Sequence, residues 1–308
     1  MPIRTRLWCM VSDLARKGVE AMEPQQIAAS RALAPDPRFP VTLVTGRVRR
    51  NVRRDTVQLR MRDGVQIPAR IHRRPDVIGS APVVVYYHGG GWTLGRPLDY
   101  ESLLTMIADE TGAVVVAPDY RKAPDHKAPA AVLDAHDTLD LVLADPDWLP
   151  VSPSRVVVAG DSAGGNLSAL VALRAGAALA GQVLIYPAVD LSRKHAYRNA
   201  PMLDGAALDT YLGLYLDGSG VVAADPVVSP LRAASRAGAA PALVQTAQFD
   251  PLAPEGADYV AALERDGVKA HLSHYHGVPH GFLNIPGFAP VAWQARWEII
   301  DTLRGWFA

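Results

Sequence analysis

The chain has 308 residues, too many for a small stapled scaffold and enough to bury a large core as one α/β unit with an appendage. It is 49% hydrophobic and 20% charged, which excludes a disordered or collagen-like chain. Its 31 basic residues balance 31 acidic ones, so no net field draws nucleic acid or an anionic membrane, and a small molecule is the partner this composition leaves open.

Arg4 and Arg6 ahead of Leu7-Trp8-Cys9-Met10-Val11 imitate a signal peptide, but Asp13, Arg16 and Lys17 break the apolar run too early. No stretch approaches the ~20 apolar residues that span a bilayer, so the expectation is a cytoplasmic protein without integral membrane segments. The single cysteine, Cys9, has no partner for an intrachain disulfide and no reactive motif around it, and it reads as a buried apolar side chain. Residues 6–34 predict helices through Leu7, Val11, Leu14 and Val19, then Ile27 to Leu33, ending at Pro35-Asp36-Pro37. Residues 46–62 and 64–72 alternate around Asp63-Gly64 and predict an antiparallel hairpin. Arg47, Arg49, Arg50, Arg53 and Arg54 crowd its first strand without the interleaved aromatics of a nucleic-acid platform, which favours a solvated edge strand that resists aggregation.

Residues 83–87, 113–117, 155–159, 182–186 and 242–247 are short, β-branched-rich and mostly non-alternating, as strands buried on both faces of a parallel sheet are. Helical stretches at about 99–110, 129–144, 163–178 and 254–266 fall between them, and a further strand is expected at 270–275. Strands alternating with helices predict a doubly wound, mostly parallel α/β sheet with right-handed crossovers. Residues 190–224 interrupt that alternation, and there Leu208, Tyr211, Leu212 and Tyr215 make one apolar helical stripe. With Trp92 and the N-terminal helices, this stripe is expected to line a substrate pocket.

Gly160-Asp161-Ser162-Ala163-Gly164 is a G-x-S-x-G between a predicted strand and a predicted helix, the context of a nucleophile elbow. A plain serine N-cap would account for Ser162 but not for both glycines. His88-Gly89-Gly90-Gly91-Trp92 follows the strand 83–87, where a triple glycine lets backbone N–H groups approach an acyl oxygen; the N–H of Ala163 would complete that oxyanion hole. A phosphate loop would need a Gly-Lys-[Ser/Thr] ending that is missing. In the order Ser, Asp, His, the orienting acid and the base fall on Asp250, at the end of a strand, and His280, in a later loop. His271, His274, His276 and His280 could be read as a zinc site, but no acidic ligand has supporting spacing, and neither a metal nor an organic cofactor is expected.

Taken with Asp119-Tyr120-Arg121, Ala123-Pro124, Gly165-Asn166, Asp250-Pro251-Leu252 and His280-Gly281-Phe282, these motifs resemble the bacterial hormone-sensitive-lipase-like, or family IV, esterases of the α/β-hydrolase superfamily over about residues 50–300. The resemblance implies Ser162 as nucleophile, His280 as base, Asp250 as its orienter and Gly90, Gly91 and Ala163 as the oxyanion hole. It also implies a helical cap, dividing the chain into 1–45 (N-terminal part of the cap), 46–189 (core), 190–224 (inserted cap helices) and 225–308 (core). Pro254 stands where the family has an acidic residue, and Lys122 where a leucine is common. The expected activity is hydrolysis of short to medium acyl esters through an acyl-enzyme. An amide hydrolase with the same triad, acting on arylacetamides or formamides, is the first alternative; a non-catalytic receptor on the same fold is disfavoured by the presence of His280. A small-molecule ester is the expected partner, nucleic acid is not, and a homodimer is the assembly to test.

Overall fold

The computed structural model describes residues 1–15, 18–32 and 41–308. Among these, eight strands form one sheet: β1 Arg53–Arg60, β2 Gln66–Arg73, β3 Ser80–Tyr87, β4 Val114–Pro118, β5 Ser152–Asp161, β6 Gly181–Ile185, β7 Ala242–Phe249 and β8 Ala270–Pro279. Their order is β1-β2-β4-β3-β5-β6-β7-β8, with β1/β2 and β2/β4 antiparallel and every later pair parallel. The helices are α1 Ile3–Ala15, α2 Pro24–Ala32, α3 Val41–Thr45, α4 Glu101–Thr111, α5 Ala130–Leu143, α6 Ala163–Ala175, α7 Gly205–Leu216, α8 Ala253–Arg265 and α9 Val291–Phe307.

The non-alternating apolar strands are explained by the two layers around them. Val83, Val85 and Tyr87 of β3 enter a core shared with Val132, Ala135 and Leu139 of α5 and Leu167 and Val171 of α6. Their neighbours Val84 and Tyr86 enter a second core with Leu103, Leu104 and Ile107 of α4 and Ile299, Ile300 and Leu303 of α9. Successive side chains of a strand point to opposite faces, so apolar cover on both sides demands an unbroken apolar run. Each such Val, Leu or Ile contributes about 1.5–3 kcal/mol on burial.

The helix α9 is not announced by the sequence periodicity. Trp293 and Trp297 are partly exposed in α9 and blur a stripe carried by Ala292, Ala295, Ile299, Ile300 and Leu303. The hairpin is present, but β1 starts at Arg53 rather than at residue 46. Before it, the Arg49 N–H donates to Thr105 Oγ1 at 3.0 Å and Asn51 Nδ2 donates to Asp109 at 2.5 Å, so this approach spends its polar groups on α4. The arginines also do more than solvate an edge: Arg54 joins Arg70 and His72 around the buried carboxylate of Glu101.

At the N-terminus the expected apolar positions divide: Val19 and Ile27 are buried, but the start of the stripe in α1 faces outward. Leu7 and Val11 are 56% and 60% exposed, whereas Thr5 and Cys9 are buried and Trp8 stacks on Phe288 with ring centroids 4.5 Å apart. Arg16, Lys17, Leu33 and the Pro35-Asp36-Pro37 stop lie outside the described residues, as does the side chain of Leu14. The 190–224 insertion holds one α-helix, α7, where helices in the plural were expected; the side chain of Asp204 caps it, accepting from the Ala207 N–H at 2.8 Å. The Val19–Ala21 turn packs on α7, so the N-terminal segment and the insertion do meet.

Candidate active site

Parallel neighbours end side by side, and this brings four loops together at the carboxyl edge of the sheet. Tyr87 of β3 is in register with Gly160 of β5, so the His88–Trp92 loop runs beside the 160–164 turn. Phe249 of β7 is in register with Pro279 of β8, so Asp250 and His280 leave the sheet next to one another.

The 160–164 turn is as sharp as the glycine pattern implies. Ser162 has φ 55° and ψ −117°, a strained conformation for a residue with a Cβ, immediately before the first residue of α6. A Cβ on Gly164 would strike the carbonyl oxygens of Tyr87 and His88, so only glycine lets the helix start this close to β3.

His280 joins two side chains from distant parts of the chain. Its Nε2 lies 3.0 Å from Ser162 Oγ and its Nδ1 lies 2.8 Å from Asp250 Oδ2. Asp250 is buried, and its other oxygen accepts from the Leu252 N–H at 2.8 Å, whereas Ser162 and His280 keep partial exposure. Tyr186 packs its ring against the imidazole at 4.7 Å between centroids. An acceptor on one ring nitrogen and a hydroxyl on the other set the tautomer: Nδ1–H donates to Asp250, leaving Nε2 to accept from Ser162.

The loop after β3 divides its N–H groups. Gly89 N–H is used twice, 2.9 Å from Asp161 Oδ1 and 3.0 Å from the Tyr100 hydroxyl. Those of Gly90, Gly91 and Ala163 have no acceptor among the described residues and remain unspent. In the sequence Asp161 is only one position of the motif, and its environment is set by the fold. It is buried, it also accepts from the hydroxyls of Tyr86 and Tyr100 at 3.0 Å each, and burial raises its carboxyl to about 6 against those hydrogen bonds. His88 stacks on Tyr120 at 4.3 Å, and the Tyr120 hydroxyl donates to the His88 carbonyl at 2.8 Å.

The two departures from the family pattern are accommodated locally. Lys122 is buried with its ammonium on Asp119 and the Tyr120 carbonyl, while Pro254 sits in the first turn of α8, where its missing N–H costs nothing.

The α7 stripe divides. Leu208 and Tyr215 are buried in the main core, Tyr215 stacked on Trp92 at 4.6 Å and 4°. Tyr211 and Leu212 stay half-buried, and the Tyr211 ring occupies the space a Cβ on Gly91 would need. A cleft of about 540 Å³ opens elsewhere, between α1 and the insertion, lined by Met1, Met10, Tyr197, Pro201 and Phe249, the residue before Asp250.

Of the four histidines considered for zinc, His280 is engaged as above, His274 hydrogen-bonds Thr246 Oγ1 at 2.9 Å, and His276 meets His274 edge-on. Among the described residues no group of three or more His, Cys, Asp or Glu is placed to hold a metal ion, and no helix is long and apolar enough to cross a membrane.

Comparison with known proteins agrees with this geometry. Residues 84–284 match the family model described as alpha/beta hydrolase fold. The chain is 39% identical to "Carboxylic ester hydrolase LipN" of Mycobacterium tuberculosis over 78% of this chain and 67% of that protein. It is also 39% identical to "Carboxylesterase NlhH" of the same species, over 79% of each. Among solved structures it is similar to an esterase of Pyrobaculum calidifontis, with 33% identity, a TM-score of 0.84 and 97% of each chain covered. It is likewise similar to a thermostable esterase of Pseudomonas putida ECU1011, with 26% identity, a TM-score of 0.87, and 100% and 98% covered. The chain belongs to the α/β-hydrolase fold family, within its hormone-sensitive-lipase-like branch.

Proposed function

We propose that the protein hydrolyses carboxylic esters of short to medium acyl chain through an acyl-enzyme on Ser162. The observation that carries this reading is the unbroken hydrogen-bond chain from Asp250 through His280 to Ser162, beside three unspent backbone N–H groups.

Ser162 Oγ attacks the ester carbonyl while His280 Nε2 takes its proton, and Asp250 holds the resulting imidazolium in orientation. The carbonyl oxygen becomes an oxyanion, which the N–H groups of Gly90, Gly91 and Ala163 stabilise. The imidazolium then protonates the departing alkoxide. Water attacks the acyl-enzyme by the same route and releases the carboxylic acid, returning the proton to Ser162. Every proton moves between the ester, water and these side chains. Residues 1–45 and 190–224 act as a cap over a core of 46–189 and 225–308. The Tyr211 and Leu212 side of α7 limits acyl length to about four to eight carbons, since each buried methylene adds ~0.8 kcal/mol only until the space is full. The carboxylesterase names of two relatives support the substrate class.

The test is to follow p-nitrophenyl ester hydrolysis from acetate to hexadecanoate, with a fluorophosphonate label on the wild type and Ser162→Ala. The variant is expected to lose on the order of 10⁴–10⁶ in kcat and all labelling. Turnover above a tenth of wild type in a clean preparation of the variant would overturn the assignment.

A further inference from the structure

His195 lies in the insertion, far in sequence from the residues of the site, yet both of its ring nitrogens are committed beside Asp250. Nδ1 lies 2.9 Å from the carbonyl oxygen of Pro251, and Nε2 lies 3.1 Å from Glu255 Oε1. The side chains of His195 and Glu255 are 6% and 1% exposed. Glu255 Oε2 in turn accepts the N–H groups of Val189 and Asp190 at 2.7 and 2.9 Å. A carbonyl can only accept, so Nδ1 must carry hydrogen. Nε2 then faces a carboxyl oxygen, and that contact is attractive only if a proton lies between them. Burial raises the Glu255 carboxyl, against the hydrogen bonds from His195 and the two backbone donors, which favour its ionised form; with both oxygens so supplied with donors, the shared proton rests on the imidazole.

From this geometry we infer that His195 is a positioning residue, held as an imidazolium, that fastens the insertion to both ends of the Asp250–Glu255 turn and so holds Asp250 against His280. The inference rests on the reading of Ser162, His280 and Asp250 as the triad. Three segments converge on the pair: the loop after β6 through Val189 and Asp190, the turn after β7 through Pro251, and α8 through Glu255. The charged groups around it are otherwise occupied. Arg193, which opposes protonation of His195, is paired with Asp258 of α8, and Asp190 is paired with Arg232. Burial alone would lower the His195 pKa, but the hydrogen bond and charge of Glu255 outweigh it and raise it.

Loss of the shared proton at alkaline pH leaves a lone pair against a carboxylate, which loosens the turn. Small displacements of a positioned group cost catalysis disproportionately, so the per-site rate should fall by roughly tenfold across an alkaline limb. His195→Phe keeps the ring shape and removes both donors. Glu255→Gln lets an amide donate to a neutral imidazole, keeping the contact without the titrating proton.

The experiment measures kcat, KM and the rate of fluorophosphonate labelling per folded molecule for wild type and both variants between pH 6 and 10. The expected result is a wild-type alkaline limb that both variants lose, with His195→Phe also about tenfold lower in kcat at pH 7 and little changed in KM. Should His195→Phe not fold, Glu255→Gln alone decides, because the limb must vanish in it. Wild-type labelling rates and an unchanged alkaline profile in the folded variants would overturn the inference. Failure of the wild type itself to label at Ser162 would instead overturn the triad reading.

Discussion

The backbone N–H of Gly89 donates to the carboxylate of Asp161 at 2.9 Å, which ties the loop after β3 to the turn that carries Ser162. With Tyr86 and Tyr100 on the same carboxylate, the neighbouring Gly90 and Gly91 N–H groups are held in place by a buried anion rather than by the loop alone.

Replacing Asp161 should therefore damage the chemical step more than binding. Asp161→Ala is expected to lower kcat by roughly 10–10² with a smaller change in KM, somewhat less than deletion of a whole oxyanion donor. The pH dependence of stability gives a second readout. Burial raises this carboxyl from 3.8 to about 6, so its contribution is most favourable below about pH 4 and is lost as pH rises through 6. Asp161→Asn carries no such slope, and its Tm relative to wild type should climb between pH 4 and 7; a flat difference would contradict the burial argument.

Asp250→Asn should abolish most turnover without unfolding the protein. An amide nitrogen facing His280 Nδ1 turns that atom into an acceptor, moves the ring hydrogen to Nε2, and leaves Ser162 without a base. A loss of about 10⁴ in kcat is expected, measured on preparations matched by circular dichroism. Near-normal turnover would mean another carboxylate orients the histidine.

Two tyrosines one turn apart on α7 should behave differently. Tyr215→Ala removes a ring stacked on Trp92 in the main core and should cost about 3 kcal/mol in a denaturant titration while keeping the relative rates from acetate to octanoate. Tyr211→Ala leaves stability closer to wild type and flattens or shifts the chain-length profile, because its ring lies half-buried against Gly91. Identical chain-length profiles for the two variants would assign the whole helix to packing.

Glu101 provides an acid-stability prediction. Burial would raise its carboxyl, but His72 and Arg70 outweigh this and lower it from 4.5 to about 2. A depressed carboxyl contributes stability that is present above pH 4.5 and lost as pH falls toward 2. Glu101→Gln should be less stable than wild type at pH 7, on the order of 2 kcal/mol after solvent screening of the partly exposed arginines, and the gap should narrow steadily below pH 4.5 and close only toward pH 2. Urea midpoints at pH 7, 5, 4 and 3 measure it.

The local sequence determined what depends on local chemistry. Unbroken runs such as Val83–Val85 and Val114–Val116 announced strands covered on both faces, and Gly160-x-Ser162-x-Gly164 announced a turn that tolerates no side chain beside β3. Motif order was enough to nominate Asp250 and His280, since the strands that carry them must end at the same edge of a parallel sheet. Only the tertiary structure decided which side of a helix is buried and which polar groups share one carboxylate. The stripe through Leu7 and Val11 turned outward because Trp8 and Cys9 found the core, and the α7 stripe divided because Trp92 took Tyr215 as a partner. Asp161 with Gly89, Glu101 with the arginines of β1 and β2, and His195 with Glu255 join residues 31 to 72 positions apart. Periodicity registers an element's own faces; it carries no information on which distant side chain will stand opposite, and that is fixed by sheet order and loop closure.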